Sequence, residues 1–282
     1  MIQKKSFILL LLLLPLLSKA QEWEFGTKLG MMGYMGDLNP DNPLAFNRPG
    51  IGFNIRYGFT PFSGFNLSIL QSAVAADDAN SDIPYNKQRN LSFRSNITEL
   101  AFTYEHYFWP FAPGTGKHKI SPYAFVGIAG FMFEPKTDFQ GNTVNLRELG
   151  TEGQGTPLNS DEKYSNLALA IPFGFGIKYN FANNFNIGLE LGYRNTFTDY
   201  LDDVSGVYVD KALLATYNGQ LASDLSDRSG EINNGISSGE TFTMRGDDTR
   251  RDFYMFTGIT LSYTLTPIKC PDFKIFKYKK YR

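Results

Sequence analysis

Between residues 50 and 59 every second side chain is bulky and apolar: Ile51, Phe53, Ile55, Tyr57 and Phe59 fall on one face, against Gly52, Asn54, Arg56 and Gly58 on the other. That period is the period of a β-strand with one greasy side. Residues 166–179 repeat it, with Leu167, Leu169, Ile171, Phe173, Phe175, Ile177 and Tyr179 opposing Ala168, Ala170, Pro172, Gly174, Gly176 and Lys178. Residues 185–197 repeat it a third time, and five further segments, 23–34, 64–74, 97–109, 120–133 and 252–265, follow it less strictly. In the fifth and eighth of the eight segments both faces are fairly apolar, and inside and outside stay unassigned there. The segments run to about ten to fourteen residues, where a membrane-crossing strand needs roughly nine to eleven.

Alternation alone fits a soluble barrel as well as a membrane barrel. Side-chain volume separates them. The interior of an eight-stranded barrel is only wide enough for packed side chains, so faces made of Phe, Tyr, Leu and Ile cannot all point inward. They are expected to face lipid. Connection lengths agree: segments 35–48, 60–63, 75–96, 110–119, 134–165, 180–184 and 198–251 run long, short, long, medium, long, short, long. Long surface loops alternating with short periplasmic turns are the pattern of outer-membrane barrels with both termini in the periplasm. The last loop is too long to be structureless and is expected to hold short elements. The fold expected is therefore all-β, an eight-stranded antiparallel transmembrane barrel.

The N-terminus carries Lys4 and Lys5, an apolar run over residues 7–14, and small residues at Ser18 and Ala20. This is the pattern of a cleaved signal peptide, too short to span a bilayer. Residues 1–20 are read as the signal, 21–266 as the barrel and 267–282 as a basic periplasmic tail. Gln21 and not a cysteine stands directly after the cleavage site, which argues against a lipoprotein; Cys270 is the only cysteine and leaves no intramolecular disulfide. With 27 Lys plus Arg against 28 Asp plus Glu, there is no field to attract nucleic acid. Aromatics at 15% and 27 glycines suit strands that meet headgroups and turn tightly.

Four acids, Glu24, Glu99, Glu105 and Glu190, and four bases, Lys28, Arg56, Lys178 and Arg194, fall on the inward faces. Burial requires each to find a partner, so a plug of paired charges is expected rather than an ion path. His106 shares an outward face with Leu100, Phe102, Tyr104 and Phe108 and is expected in the aromatic belt near Trp109. A lipid-modifying hydrolase would need a serine beside it, and none stands nearby on that face. The segment Gly114-Thr115-Gly116-Lys117 followed by His118 lacks the serine or threonine of a phosphate loop and is read as a turn. Arg245-Gly246-Asp247 is read as part of a solvated charged loop. Asp199, Asp202 and Asp203 lack the glycine and spacing of a calcium loop and are expected to be solvated. No catalytic residue, cofactor site or metal site is expected. In the tail, Phe273, Lys274, Phe276 and Tyr278 interleave aromatics with lysines, as a docking peptide or a headgroup contact would, and a disordered tail stays open.

Three strings carry a family resemblance: Tyr34-Met35-Gly36-Asp37, Ser121-Pro122-Tyr123, and above all Thr198-Asp199-Tyr200-Leu201-Asp202-Asp203-Val204-Ser205. With them the mature chain resembles, over nearly its whole length, the PorG-like outer-membrane barrels of Bacteroidetes, which belong to the type IX secretion system. The resemblance implies a non-enzymatic barrel partnered by the periplasmic ring of a PorK-like (GldK-like) lipoprotein and a PorN-like (GldN-like) protein, with a link to gliding motility. The periplasmic turns, including Lys117 and His118, and the tail are the surfaces available to such partners. An adhesion or ligand-binding barrel acting through its surface loops, and a lipid-modifying enzyme, are the competing readings.

Overall fold

The structure is a computed structural model that describes residues 22–265 apart from 43 and 115–117. The expected signal peptide and the basic tail, with Cys270, Phe273, Lys274, Phe276 and Tyr278, lie outside the described residues, as does Lys117. Eight long strands, β1 (Glu22–Met35), β2 (Phe46–Thr60), β3 (Ser63–Asp77), β4 (Ser92–Tyr107), β5 (Ile120–Phe139), β7 (Leu167–Ala182), β8 (Phe185–Thr196) and β9 (Phe253–Leu265), pair antiparallel with their neighbours. The ladders β1–β9 and β4–β5 complete the ring, so it has no free edge. A short strand, β6 (Asn142–Asn145), pairs with the far end of β5 beyond the point where β7 leaves it. No described helix is long and apolar enough to cross a membrane.

Several strands run past the apolar segments that announce them. β2, β3, β4 and β5 continue at the long-loop rim into residues 46–48, 75–77, 92–96 and 134–139, which the sequence pattern assigns to loops. The reason is that Asn47, Arg94, Lys136 and Asp138 project above the apolar belt, where polar side chains hide the alternation while the backbone ladder continues. The connection between β3 and β4 carries the short helix α1 (Pro84–Arg89), and that between β5 and β7 a single turn, α2 (Leu146–Leu149). The long connection before β9 contains two helices, α3 (Lys211–Asn218) and α4 (Gln220–Ser226).

Outward faces carry a continuous apolar surface: Phe25, Leu29, Ile51, Phe53, Leu67, Ile69, Leu100, Ile128, Leu169, Phe175, Leu189 and Ile259 all stand exposed. An apolar belt of this extent around a closed barrel is a lipid-facing surface, because a soluble chain would bury it. Trp23, Tyr57, Phe65, Tyr104, Trp109, Tyr179, Phe185 and Tyr263 gather at the short-turn rim, where amphipathic rings meet headgroups. The chain is a transmembrane β-barrel.

The two strands with both faces apolar, β5 and β9, turn Tyr123, Phe125, Phe131, Phe133, Tyr254 and Phe256 into the lumen. Glycines on the neighbouring strands β7 and β1, and on β9 itself, make room. A Cβ at Gly176 would collide with the Tyr123 ring, and one at Gly30 or Gly258 would sit 2.7 Å from the Phe256 ring. Volume at one position of the wall is thus matched by its absence at the positions beside it.

Phe53 and Phe175 are 57% and 66% exposed on the lipid face. Phe53→Arg or Phe175→Arg should each cost roughly 2 to 4 kcal/mol near the midplane and lower the fraction of folded barrel on heat-modifiable gels. Inward Asn54, hydrogen-bonded to Asn66 at 3.1 Å, should cost only about 1 kcal/mol as Asn54→Ala.

Candidate functional site

The lumen is the one place where the sequence concentrates charge inside the barrel, and the four acids and four bases there are all buried and paired with one another, Glu24 with both Lys178 and Arg56. At the short-turn end Lys178 reaches Glu24 at 3.0 Å and Arg56 reaches Glu105 at 2.9 Å. Halfway up, Lys28 on β1 meets Glu190 on β8 at 2.9 Å, and above it Arg194 on β8 meets Glu99 on β4 at 3.1 Å. Each pair bridges non-adjacent strands, so side chains span the lumen instead of lining it. Hydroxyls take up remaining acceptor capacity: Tyr107 donates to Glu105 at 2.8 Å, Tyr123 to Glu190 at 3.2 Å, Tyr254 to Glu99 at 2.7 Å, and Ser262 to Glu24. Aromatic faces cover the cations, with the Arg56 guanidinium 4.7 Å from the Tyr107 ring centre and Lys178 5.5 Å from it.

Both ends are closed. At the short-turn end Phe111 enters the lumen to stack on Tyr107 at 5.5 Å, its N–H donating to the Pro61 carbonyl. His118, by contrast, is exposed there. At the opposite end the aromatic upper lumen, with Tyr34, Phe93, Phe131, Phe133 and Phe256, merges into one core with Leu201, Val204 and Leu225 of the long loop. The loops form a cap continuous with the barrel interior.

The string 198–203 is the hinge of that cap, and its acids are not solvated as expected. Asp202 and Asp203 are buried; Leu201 lies in the core. The Thr198 carbonyl accepts from the Asp252 N–H and from Thr196, which fastens the start of the loop to the start of β9. Tyr200 stacks on Tyr164 at 4.6 Å. Asp203, in the left-handed region at φ 70°, accepts from Thr151 and Tyr164 at 2.6 Å each. Burial pushes the Asp203 carboxyl up to about 6 against the opposing pull of Arg245. The group does not converge as metal ligands, and no cluster among the described residues does.

Arg245 corrects a second expectation. It is 2% exposed, so the Arg245-Gly246-Asp247 string is no solvated loop at its first residue. Its guanidinium meets Glu152 at 2.8 Å and donates to the carbonyls of Asp203 and Ser226. Glu152 also accepts from the backbone N–H groups of Ser205 and Gly206. Arg89 of α1 forks onto Asp78 with two 2.8 Å bonds and donates to the carbonyls of Arg245 and Asp37. Arg89, Asp78, Glu152 and Arg245 therefore tie four surface loops together. Nothing in their local sequence announces them, because the bonds from Arg245 to Glu152 and from Arg89 to Arg245 span 93 and 156 residues of chain.

A third correction concerns His106. Ser63 stands directly opposite it in the β3–β4 ladder, on the same outward face. Antiparallel register puts it there, which distance along the chain concealed. The Ser63 hydroxyl is engaged by Tyr104 at 2.9 Å, and His106 packs edge-on to Phe108.

Removing one member of a lumen pair leaves its partner as an uncompensated buried charge. Glu190→Ala is expected to destabilise the barrel by about 3 to 5 kcal/mol, and the double change Lys28→Met with Glu190→Leu to recover most of it, measured by urea unfolding in lipid. A single variant as stable as wild type would mean that water reaches Lys28.

Solved structures that resemble this chain include Ail, the attachment invasion locus protein of Yersinia pestis (11% identity, 87% of this chain and 99% of that one, TM-score 0.41). OprG of Pseudomonas aeruginosa (8%, 88% and 97%, TM-score 0.41) and a major outer membrane protein of Thermus thermophilus (12%, 87% and 100%, TM-score 0.40) resemble it to the same degree. A search of curated proteins finds no match. The model of a family described as a domain of unknown function, DUF6089, matches residues 3–223, most of the chain, and the protein belongs to that family.

Proposed function

We propose that this barrel is a PorG-like, non-enzymatic outer-membrane component of the type IX secretion system. It fixes a periplasmic ring, built of a PorK-like (GldK-like) lipoprotein and a PorN-like (GldN-like) protein, to the outer membrane. The observation that carries this reading is the plug: ion pairs, aromatics and a folded cap fill the barrel from end to end, as suits a membrane address and no conduit. The resemblance of the Thr198–Ser205 string supplies the secretion system. The periplasmic rim offers the ring the turns at 60–63, 110–119 and 180–184, with exposed His118, and the tail with Phe273, Lys274, Phe276 and Tyr278. Catalysis has little support, since the Ser63 hydroxyl opposite His106 is held by Tyr104 and not by the imidazole.

An adhesion or ligand-binding barrel is the second reading, favoured by one feature of the cap. Phe242 is 82% exposed and sits at φ 69°, a conformation costly for an aromatic residue, and Met244 beside it is exposed too. The two readings differ in which side of the membrane is sensitive. For the anchor, truncation after Leu265 should abolish export of a type IX cargo and recovery of the ring lipoprotein in mild detergent, while Phe242→Ser leaves both unchanged. Heat-modifiable mobility checks that each variant still inserts. Normal export by the truncated protein, with cell adhesion lost in Phe242→Ser, would replace the anchor by the adhesin.

A further inference from the structure

Where the cap meets the barrel, one hydroxyl stands between two buried carboxylates. Tyr34, at the long-loop end of β1, lies 2.5 Å from Asp202 Oδ2 and 3.0 Å from Asp252 Oδ1. The far oxygen of each carboxylate is already engaged: Asp202 Oδ1 accepts from the Val204 N–H and Asp252 Oδ2 from the Leu201 N–H, both at 2.9 Å. A phenol has a single hydrogen. It can serve only one of the two facing carboxylates, and the other would set a bare anion against the lone pairs of the same oxygen. The contact becomes attractive on both sides only if a second hydrogen is present, carried by one of the acids.

The surroundings provide no cation that could do this work instead. From the β1–β2 connection Asp37 faces the pair; one of its oxygens accepts from the Asp247 N–H and the other is buried without a hydrogen bond. From the string itself comes Asp199, its oxygens buried, with Ser205 alongside. Glu152 and Asp247 add further negative charge nearby. The guanidiniums nearby are committed elsewhere, Arg89 to Asp78, Arg245 to Glu152 and Asp203, and Arg250 to Asp247, while that of Arg251 lies over the Phe197 ring. Among the described residues no ion pair involves Asp37, Asp199, Asp202 or Asp252. Gly36 presses on the same point: a Cβ there would collide with Asp252 Oδ1 and with the Tyr34 hydroxyl.

We propose that the cap is latched to the barrel by a proton retained between Asp202 and Asp252 across the Tyr34 hydroxyl, so that the cap is firm in acid and loosens as pH rises. Burial pushes both carboxyls well above the usual carboxylate range, and it raises Asp37 to about 6 and Asp199 to about 7. A group whose folded pKa lies above its unfolded value stabilises the fold fully below the unfolded pKa, about 4, and that contribution is lost as pH climbs through the folded one. The loosening should therefore set in from about pH 6 to 7, where Asp37 and Asp199 charge, and deepen as the latched proton leaves.

Hydrogen exchange of the full barrel in phospholipid nanodiscs, from about pH 5 to about pH 9 and corrected for intrinsic exchange, tests this. Protection of segments 199–209 and 244–252 should fall by about tenfold or more across that range, while strand β7 stays constant. In Asp252→Asn the amide supplies the second hydrogen permanently, and the fall above about pH 7 should disappear, leaving only the earlier part due to Asp37 and Asp199. An infrared spectrum near pH 7 should contain the carbonyl band of a neutral carboxylic acid, diminished in both Asp202→Asn and Asp252→Asn. Wild-type protection that stays level or rises to about pH 9 would overturn the latch, as would a spectrum without that band; both readouts use the unmodified protein and hold even if the variants fail to assemble.

Discussion

A backbone in hydrocarbon has no water to bond to, so every N–H and C=O of the spanning strands must be satisfied by another strand. Closure of β1 onto β9 and β4 onto β5 meets that requirement, and most other features of this protein follow from it. A ring of eight strands has to expose one face of every strand to lipid and enclose the other in a narrow tube. The outer face is solved by the apolar belt. The inner face poses a packing problem, since an empty tube this narrow would lose dispersion contacts along its whole wall.

The tube is filled in two ways. In its lower and middle parts four ion pairs cross it, and their value lies less in net stability than in the penalty attached to breaking any one of them. Around and above them, aromatic rings on β5 and β9 fill the space that glycines beside them leave open. The cap adds no separate domain to this arrangement; Leu201, Val204 and Leu225 extend the same core outward. A rigid, filled cylinder of this kind suits the anchoring role proposed above.

What can be read in the sequence follows the same division. The lipid faces of β2, β7 and β8 are legible because lipid imposes a strict period on them, and the eight lumen charges are legible because they interrupt that period on one face only. The inner faces of β5 and β9 are not, because Phe131 or Tyr254 inside resembles Ile128 or Ile259 outside when only hydropathy is compared. Complementary glycines on other strands decide the matter, and no local window contains them. The Asp202–Asp203 pair and Arg245 read as solvated for a related reason: charge in a loop ordinarily means water, and only the folded cap brings Glu152, Tyr164 and Tyr34 to them. The opposition of Ser63 and His106 shows the same limit for register.

A lumen filled in this way is sealed, and a planar lipid bilayer holding the purified protein will reveal any leak. At neutral pH and moderate salt the filled barrel should give a silent bilayer, with no reproducible single-channel steps above the lipid background. Stable, uniform conductance steps from pure protein would contradict it, for they would require a continuous water path past the pairs Lys28–Glu190 and Arg194–Glu99 that close the tube here.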